Sequence, residues 1–120
     1  MLPLGTQLIN FDLSNTITGQ NYSSTEIATD RPVLIMIICN HCPYVVHYHD
    51  ELKRLHHDFS EQISFVAISS NDVNNYPEDS PEKMKELWHE LGFSFPYLYD
   101  ETQRVAKAYQ AECTPEFYLF

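Results

Sequence analysis

Val33 to Ile38 reads VLIMII, an unbroken apolar run of mostly branched side chains, too short to stand as a lone helix. It predicts a central strand buried on both faces. From Cys39 the period changes: Val45, His49, Leu52, Leu55 or His56, and Phe59 recur at helical spacing, while Asp50, Glu51, Lys53 and Arg54 fall on other faces. That pattern predicts a helix of roughly five turns following the strand directly. Ile63 to Ile68, ISFVAI, is again short and rich in β-branched residues, and predicts a second strand. Strand, helix and strand in this order predict a parallel pair joined by a right-handed crossover.

On either side of this unit the pattern is weaker. Leu8 to Ser24 alternates loosely around Thr18-Gly19-Gln20, which suggests an extended piece, a turn and a return. Ser69 to Asp79 is polar and irregular. Ser80 then offers a cap and Pro81 a first helical residue, ahead of an apolar stripe of Met84, Leu87, Trp88 and Leu91 that Gly92 stops. Asp100 and Gln103 fit a capping pair for a short helix whose face is Val105, Ala106 and Tyr109. Glu116 to Phe120 has a strand pattern that leaves aromatic surface and a free sheet edge, which a soluble protein covers. The expectation is a fragment, or a chain completed by a partner, with a homodimer through that edge as one form. No internal repeat is visible.

Composition narrows the class. A chain of 120 residues is one domain's worth, and 43% hydrophobic content with 8 Tyr, 7 Phe and 1 Trp excludes a disordered segment. A formal charge of -10 argues against nucleic acid and anionic lipid surfaces as partners. The start, MLPLGTQLINFDL, has neither a basic n-region nor a long apolar stretch, and nowhere do 18 apolar residues run together. The expectation is therefore a cytoplasmic protein with no membrane span. Three cysteines then point to redox, metal or plain buried thiols rather than a disulfide framework.

Cys39-Asn40-His41-Cys42-Pro43 carries the candidate chemistry. At the first turn of a helix, Cys39 and Cys42 stand at i and i+3, close enough for a small disulfide ring. Cys39 would meet the unpaired N–H groups and dipole of the helix start, which bring a thiol from about 8.5 into a range of about 3.5 to 7.5. His41 can add positive charge or a hydrogen bond to the thiolate, or stand exposed without a partner. Pro43 is tolerated because it lies in the first turn. Cys42, one turn in, suits the resolving role.

Other readings stay open. Zinc would need four ligands, and Cys39, Cys42, His47 and His49 supply the types, but positions 47 and 49 point to different sides of a helix. Two inert buried thiols are a further alternative. His56, His57 and His89 read as surface or boundary residues. Cys113-Thr114-Pro115 places a proline at the head of a strand, the one common setting for a cis bond, with Cys113 as a third thiol or a small apolar filler.

Over nearly all 120 residues the chain resembles the thioredoxin-like superfamily, and within it the AhpC/TSA, or redoxin, branch. NFDLSNTITGQNYSS is similar to that branch's opening hairpin, VLIMIICNHCPYV to its strand and CxxC helix, and FPYLYDETQRVAKAYQAECTPEFYLF to its cis-proline region. CNHCPYV with CTPEFYLF is also similar to a group of small bacterial thioredoxin-family or peroxiredoxin-like proteins. The resemblance implies an α/β thioredoxin-like fold, a central mixed sheet flanked by helices, lacking the C-terminal strand and helix with which that fold continues. Residues 1–120 would then be a single, C-terminally truncated domain.

By the same resemblance Cys39 is the attacking thiol, Cys42 the resolving one, and Pro115 a cis-proline facing them, with the Thr114 backbone offering an edge to a substrate chain. The activity implied is thiol-disulfide exchange on a protein or small-molecule disulfide; the alternatives are an antioxidant thiol peroxidase acting on peroxide, and a non-enzymatic binding domain that holds zinc. The tryptophan that thioredoxins carry before CxxC is Ile38 here, and the central pair is Asn-His. Aligning Cys42 with the cysteine of the peroxiredoxin PxxxTxxC pattern puts Cys39 at its threonine and Ile35 at its proline. The motif calls for no cofactor and no metal.

Overall fold

A computed structural model describes residues 5–27, 30–38, 48–70, 80–110 and 116–120. The first extended piece and its return form a hairpin of β1 (Asp12–Asn15) and β2 (Asn21–Ser23). Its turn uses Gly19 at φ 77°, a left-handed value that glycine reaches without steric penalty. A single 3-10 turn, Ser24–Glu26, follows; the sequence reading missed it, although Ser23 and Glu26 make a reciprocal capping box there.

VLIMI becomes β3 (Val33–Ile37), and the helical pattern becomes α1, described over His49–Phe59. ISFVAI becomes β4 (Ser64–Ser69), parallel to β3 as expected, with Ile37 opposite Ile68. The helix after Ser80 is α2 (Pro81–Leu91). Ser80 Oγ accepts the Lys83 N–H at 3.3 Å, and Gly92 closes the helix at φ 75°. Next come β5 (Tyr97–Tyr99), α3 (Arg104–Ala108) and β6 (Glu116–Leu119). β5 is a strand the sequence reading did not separate from its surroundings.

Among the described residues the sheet has the order β2-β1-β5-β4-β3-β6. β3, β4 and β5 run parallel, while β1 and β6 are antiparallel to their neighbours, so the sheet is mixed. Alternation along β3 explains its unbroken apolar run. Ile35 and Ile37 point into a cluster with Val66, Ile68, Leu98, Val105, Tyr109 and Tyr118, whereas Met36 and Ile38 point into a second one with Leu52, Phe65, Met84, Trp88 and Tyr97. A polar residue at any of these positions would be buried without water, and each large side chain contributes on the order of 1.5–3 kcal/mol by leaving it.

Two local expectations are corrected. Asp100 and Gln103 do not form a capping pair: Gln103 is the N-cap of α3 at φ 62° and makes no side-chain cap. Asp100 instead reaches past it to accept the Ala106 N–H at 2.9 Å, while Gln103 Nε2 donates to the Ser70 carbonyl at 2.9 Å. Phe59 keeps the helical period of the buried stripe but is 41% exposed. It closes α1, and the turn into β4 uses its carbonyl, which accepts the Gln62 and Ile63 N–H groups at 2.9 Å each.

Candidate functional site at the carboxyl ends of the parallel strands

Every site residue expected from the sequence, Cys39, His41, Cys42, Pro43, Cys113, Thr114 and Pro115, lies outside the described residues, as does His47 of the zinc alternative. The described residues fix the ground on which they stand. β3 stays bonded into the sheet up to the residue before Cys39: Ile38 is buried, and its N–H donates to the Ile68 carbonyl at 2.9 Å. Glu116, the residue after Pro115, is the Cα partner of Ile37 across β3 and β6. The sheet thus joins the strand that leads into CNHC to the strand that follows CTP.

The β3–β6 pairing also fixes which backbone groups are used. Val33 and Phe120 exchange both N–H···O bonds, at 3.1 and 2.9 Å, so alternate partners, Ile35 with Tyr118 and Ile37 with Glu116, are the bonded pairs. Phe117 and Leu119 therefore turn their N–H and C=O groups away from β3, toward an edge that no other described strand pairs with. Their side chains, 37% and 65% exposed, line an apolar groove of about 390 Å³ with Leu34, Tyr48, Leu52 and Leu55. The uncovered edge expected from the sequence is present among the described residues.

Polar groups collect at the same end of the sheet. Asp100, fully buried just past β5, accepts the Ser70 hydroxyl at 2.7 Å and the Ala106 N–H at 2.9 Å through Oδ2, and Oδ1 has no protein partner. Ser69 Oγ and His49 Nε2 are likewise buried without a protein partner. Burial lowers the pKa of His49, against an opposing pull from Asp50. Glu116, on β6, accepts a hydrogen bond from the Tyr118 hydroxyl two residues along the same face. The sequence reading passed over Glu116 and Tyr118 because a Glu and a Tyr two apart in a strand carry no motif signal.

His56 is half-buried among the rings of Phe65, Phe93 and Phe95, with centroids 5.1, 5.3 and 4.9 Å away, while His57 and His89 are exposed. Among the described residues no group of three His, Cys, Asp or Glu side chains could hold a metal ion, and no helix is long and apolar enough to cross a membrane.

The AhpC/TSA family profile matches residues 4–120. The chain belongs to the AhpC/TSA family. This member is similar to a solved protein of Geobacillus kaustophilus, with 55% identity and a TM-score of 0.95 over 100% of this chain and 64% of that one. It is also similar to a protein of Sinorhizobium meliloti, with 36% identity and a TM-score of 0.93 over 100% of this chain and 66% of that one. The chain thus spans a little under two thirds of the length of both. A secreted disulfide oxidoreductase of Mycobacterium tuberculosis shares the fold at 14% identity, with a TM-score of 0.75 over 92% of this chain and 75% of that one. No curated protein matches. The fold of this AhpC/TSA member is thioredoxin-like, as the sequence led us to expect.

Proposed function

We propose that this AhpC/TSA chain is a thiol-disulfide oxidoreductase in which Cys39 is the nucleophile and Cys42 the resolving thiol. The observation that supports the proposal is the register of Ile37 opposite Glu116, which pairs the strand leading into CNHC with the strand that follows CTP. The carboxyl ends of parallel strands are where open α/β sheets bind ligands. The fold shared with a disulfide oxidoreductase is in keeping with this reading.

In the proposed reaction the Cys39 thiolate attacks one sulfur of a substrate disulfide. A Cys39–substrate bond forms, and the other substrate sulfur leaves with the electron pair and takes up a proton. Cys42 then loses its proton and attacks the Cys39 sulfur; the Cys39–Cys42 disulfide forms as the second substrate sulfur leaves as thiolate. Two electrons have passed to the substrate, and a second dithiol must return them. His41 favours the Cys39 thiolate, Pro43 begins the helix that carries it, and Pro115 in the cis form holds the Thr114 backbone toward the substrate chain. Cys113 is a filler or third thiol in this reading.

Reduction of a model disulfide by the wild-type chain, lost in Cys39→Ser and arrested at a mixed disulfide in Cys42→Ser, is the expected result. Unchanged reduction by Cys39→Ser would remove the proposal. The family match also admits peroxide as the substrate of the same thiol, and stopped-flow oxidation decides: a rate no faster than that of free cysteine excludes it. A homodimer through the outer edge of β6 and a cytoplasmic location belong to the same proposal. Sedimentation equilibrium giving a monomer, or cell fractionation finding the protein outside the cytoplasm, would remove each in turn.

A further inference from the structure

Where α1 ends and the chain turns into β4, a cavity of about 570 Å³ opens against the end of α2. Lys53, Arg54, His56 and His57 of α1 line it, and Ser60 beyond the helix adds a hydroxyl. The α2 side contributes Leu91, Gly92 and Phe93, none of them charged. Two of the chain's seven Lys and Arg thus meet two of its six His on one wall. His56 is the fixed part of that wall, its ring set among the uncharged rings of Phe65, Phe93 and Phe95.

The positive groups are loosely engaged. Lys53 has no ion-pair partner among the described residues. Arg54 meets Glu51 at 3.2 Å and His57 meets Asp58 at 3.2 Å, but all four side chains are more than half exposed. Pairs so exposed contribute little, so a bound anion can displace them. Two helix carboxyl ends would by themselves favour a cation. Their carbonyls are already used: His56 accepts from Ser60 at 2.9 Å, Phe59 from Gln62 and Ile63, Trp88 from Phe93 at 2.9 Å and His89 from Gly92 at 3.2 Å. The overall charge of -10 sets a diffuse field that physiological salt screens beyond about 8 Å. A long polyanion meets that field, whereas a small one meets the cavity.

We propose that this cavity binds a doubly charged oxyanion, a phosphate or sulfate group, held by Lys53, Arg54 and His57 with the Ser60 hydroxyl as a neutral donor. Ammonium, guanidinium and imidazolium groups form the stronger, charge-assisted hydrogen bonds to such oxygens. The site shares no residue with the proposed dithiol chemistry and lies at the opposite end of α1 from the segment that carries it, so either reading can fail alone.

Sulfate, whose charge stays constant over the range used, is the probe. Sodium sulfate is titrated into the isotope-labelled chain against sodium chloride at equal ionic strength, with amide and histidine ring signals read by NMR. Saturable shifts at Ser60, Gly92 and His57 that chloride does not produce are expected. Binding should be about three- to tenfold tighter at about pH 5.5 than at about pH 8, because the imidazoles then carry protons, and sulfate should raise the titration midpoints of His56 and His57. Lys53→Gln should weaken binding by about three- to tenfold. Lys85→Gln removes an exposed α2 lysine outside the cavity and should leave binding unchanged. Shifts that chloride reproduces, or equal losses in the two lysine variants, overturn the inference.

Discussion

Trp88 on α2 lies face to face with Tyr97 on β5, ring centroids 3.9 Å apart and planes inclined by 25°, while its indole N–H donates to the Phe95 carbonyl at 3.0 Å. One side chain thus fastens a helix to a three-residue strand and to the turn that precedes it. Both rings are fully buried. Phe93 and Phe95 meet Trp88 edge-on at 5.2 and 5.3 Å, so the contact is the middle of an aromatic cluster rather than an isolated pair.

Trp88→Ala should therefore lower stability by about 3–5 kcal/mol, since it deletes a large buried ring and leaves a cavity. Trp88→Phe keeps much of the packing but strands the Phe95 carbonyl, and should lower it by about 1–3 kcal/mol. Urea unfolding followed by far-UV circular dichroism measures both. A loss below about 1 kcal/mol for Trp88→Ala would mean that α2 is not anchored through this ring.

Gly92 makes a prediction of a different kind. Its φ of 75° is left-handed, and a Cβ built there meets nothing within 4 Å. Gly92→Ala should then lower stability by about 1–2 kcal/mol through backbone strain alone, and Gly92→Asn by less, because Asn tolerates this conformation better. Equal losses in the two variants, read from urea midpoints, would point to packing instead.

The elements legible in the sequence are those whose pattern is long or punctuated. β3 and β4 read as unbroken apolar runs because each alternation step ends in one of two cores, and α2 reads cleanly because Ser80, Pro81 and Gly92 mark both ends. β5 was missed because three residues, Tyr-Leu-Tyr, are too few to show a period; it is a strand because β1 and β4 claim both its edges. Asp100 and Gln103 have the spacing of a capping pair, yet Gln103 takes a left-handed backbone and its amide is drawn to the Ser70 carbonyl instead. Tertiary bonding overrode a local preference.

Of the candidate site the sequence offers the chemistry and not the surroundings. Two cysteines three apart after a buried strand make a dithiol a candidate by type and spacing. Glu116 and Asp100 announce nothing in the sequence: antiparallel pairing sets one opposite Ile37, and the other accepts the Ser70 hydroxyl where β4 and β5 lie side by side. Such residues become visible when strands from distant parts of the chain are laid side by side.

Asp100 joins the site end of the sheet to α3. Asp100→Ala leaves the part-buried Ser70 hydroxyl and Ala106 N–H without the acceptor that the fully buried carboxylate gives them, and should lower stability by about 1–3 kcal/mol. Asp100→Asn retains an acceptor and should lose less. Hydrogen exchange adds a local reading, since the Ala106 amide should lose protection in Asp100→Ala before the β3 and β4 amides do. Simultaneous loss of protection across the chain would contradict the local role.

His56 gives the last prediction, in pH. Burial among three phenylalanines, and to a smaller extent its neighbour His57, lowers its pKa below the ordinary 6.5, and burial does the same for His49. In the unfolded chain both return toward 6.5. As the pH falls through 6.5 the unfolded chain takes up protons that the folded one refuses, so acidification favours unfolding. The contribution is fully present above that pH and is lost as the pH drops toward the lowered folded values. His56→Phe keeps a ring in the cluster and removes one titration, so its urea midpoint should fall less steeply than wild type between pH 7 and 5. Parallel midpoint curves for the two proteins across that range would show that His56 titrates alike folded and unfolded, and that the aromatic cluster does not hold it neutral.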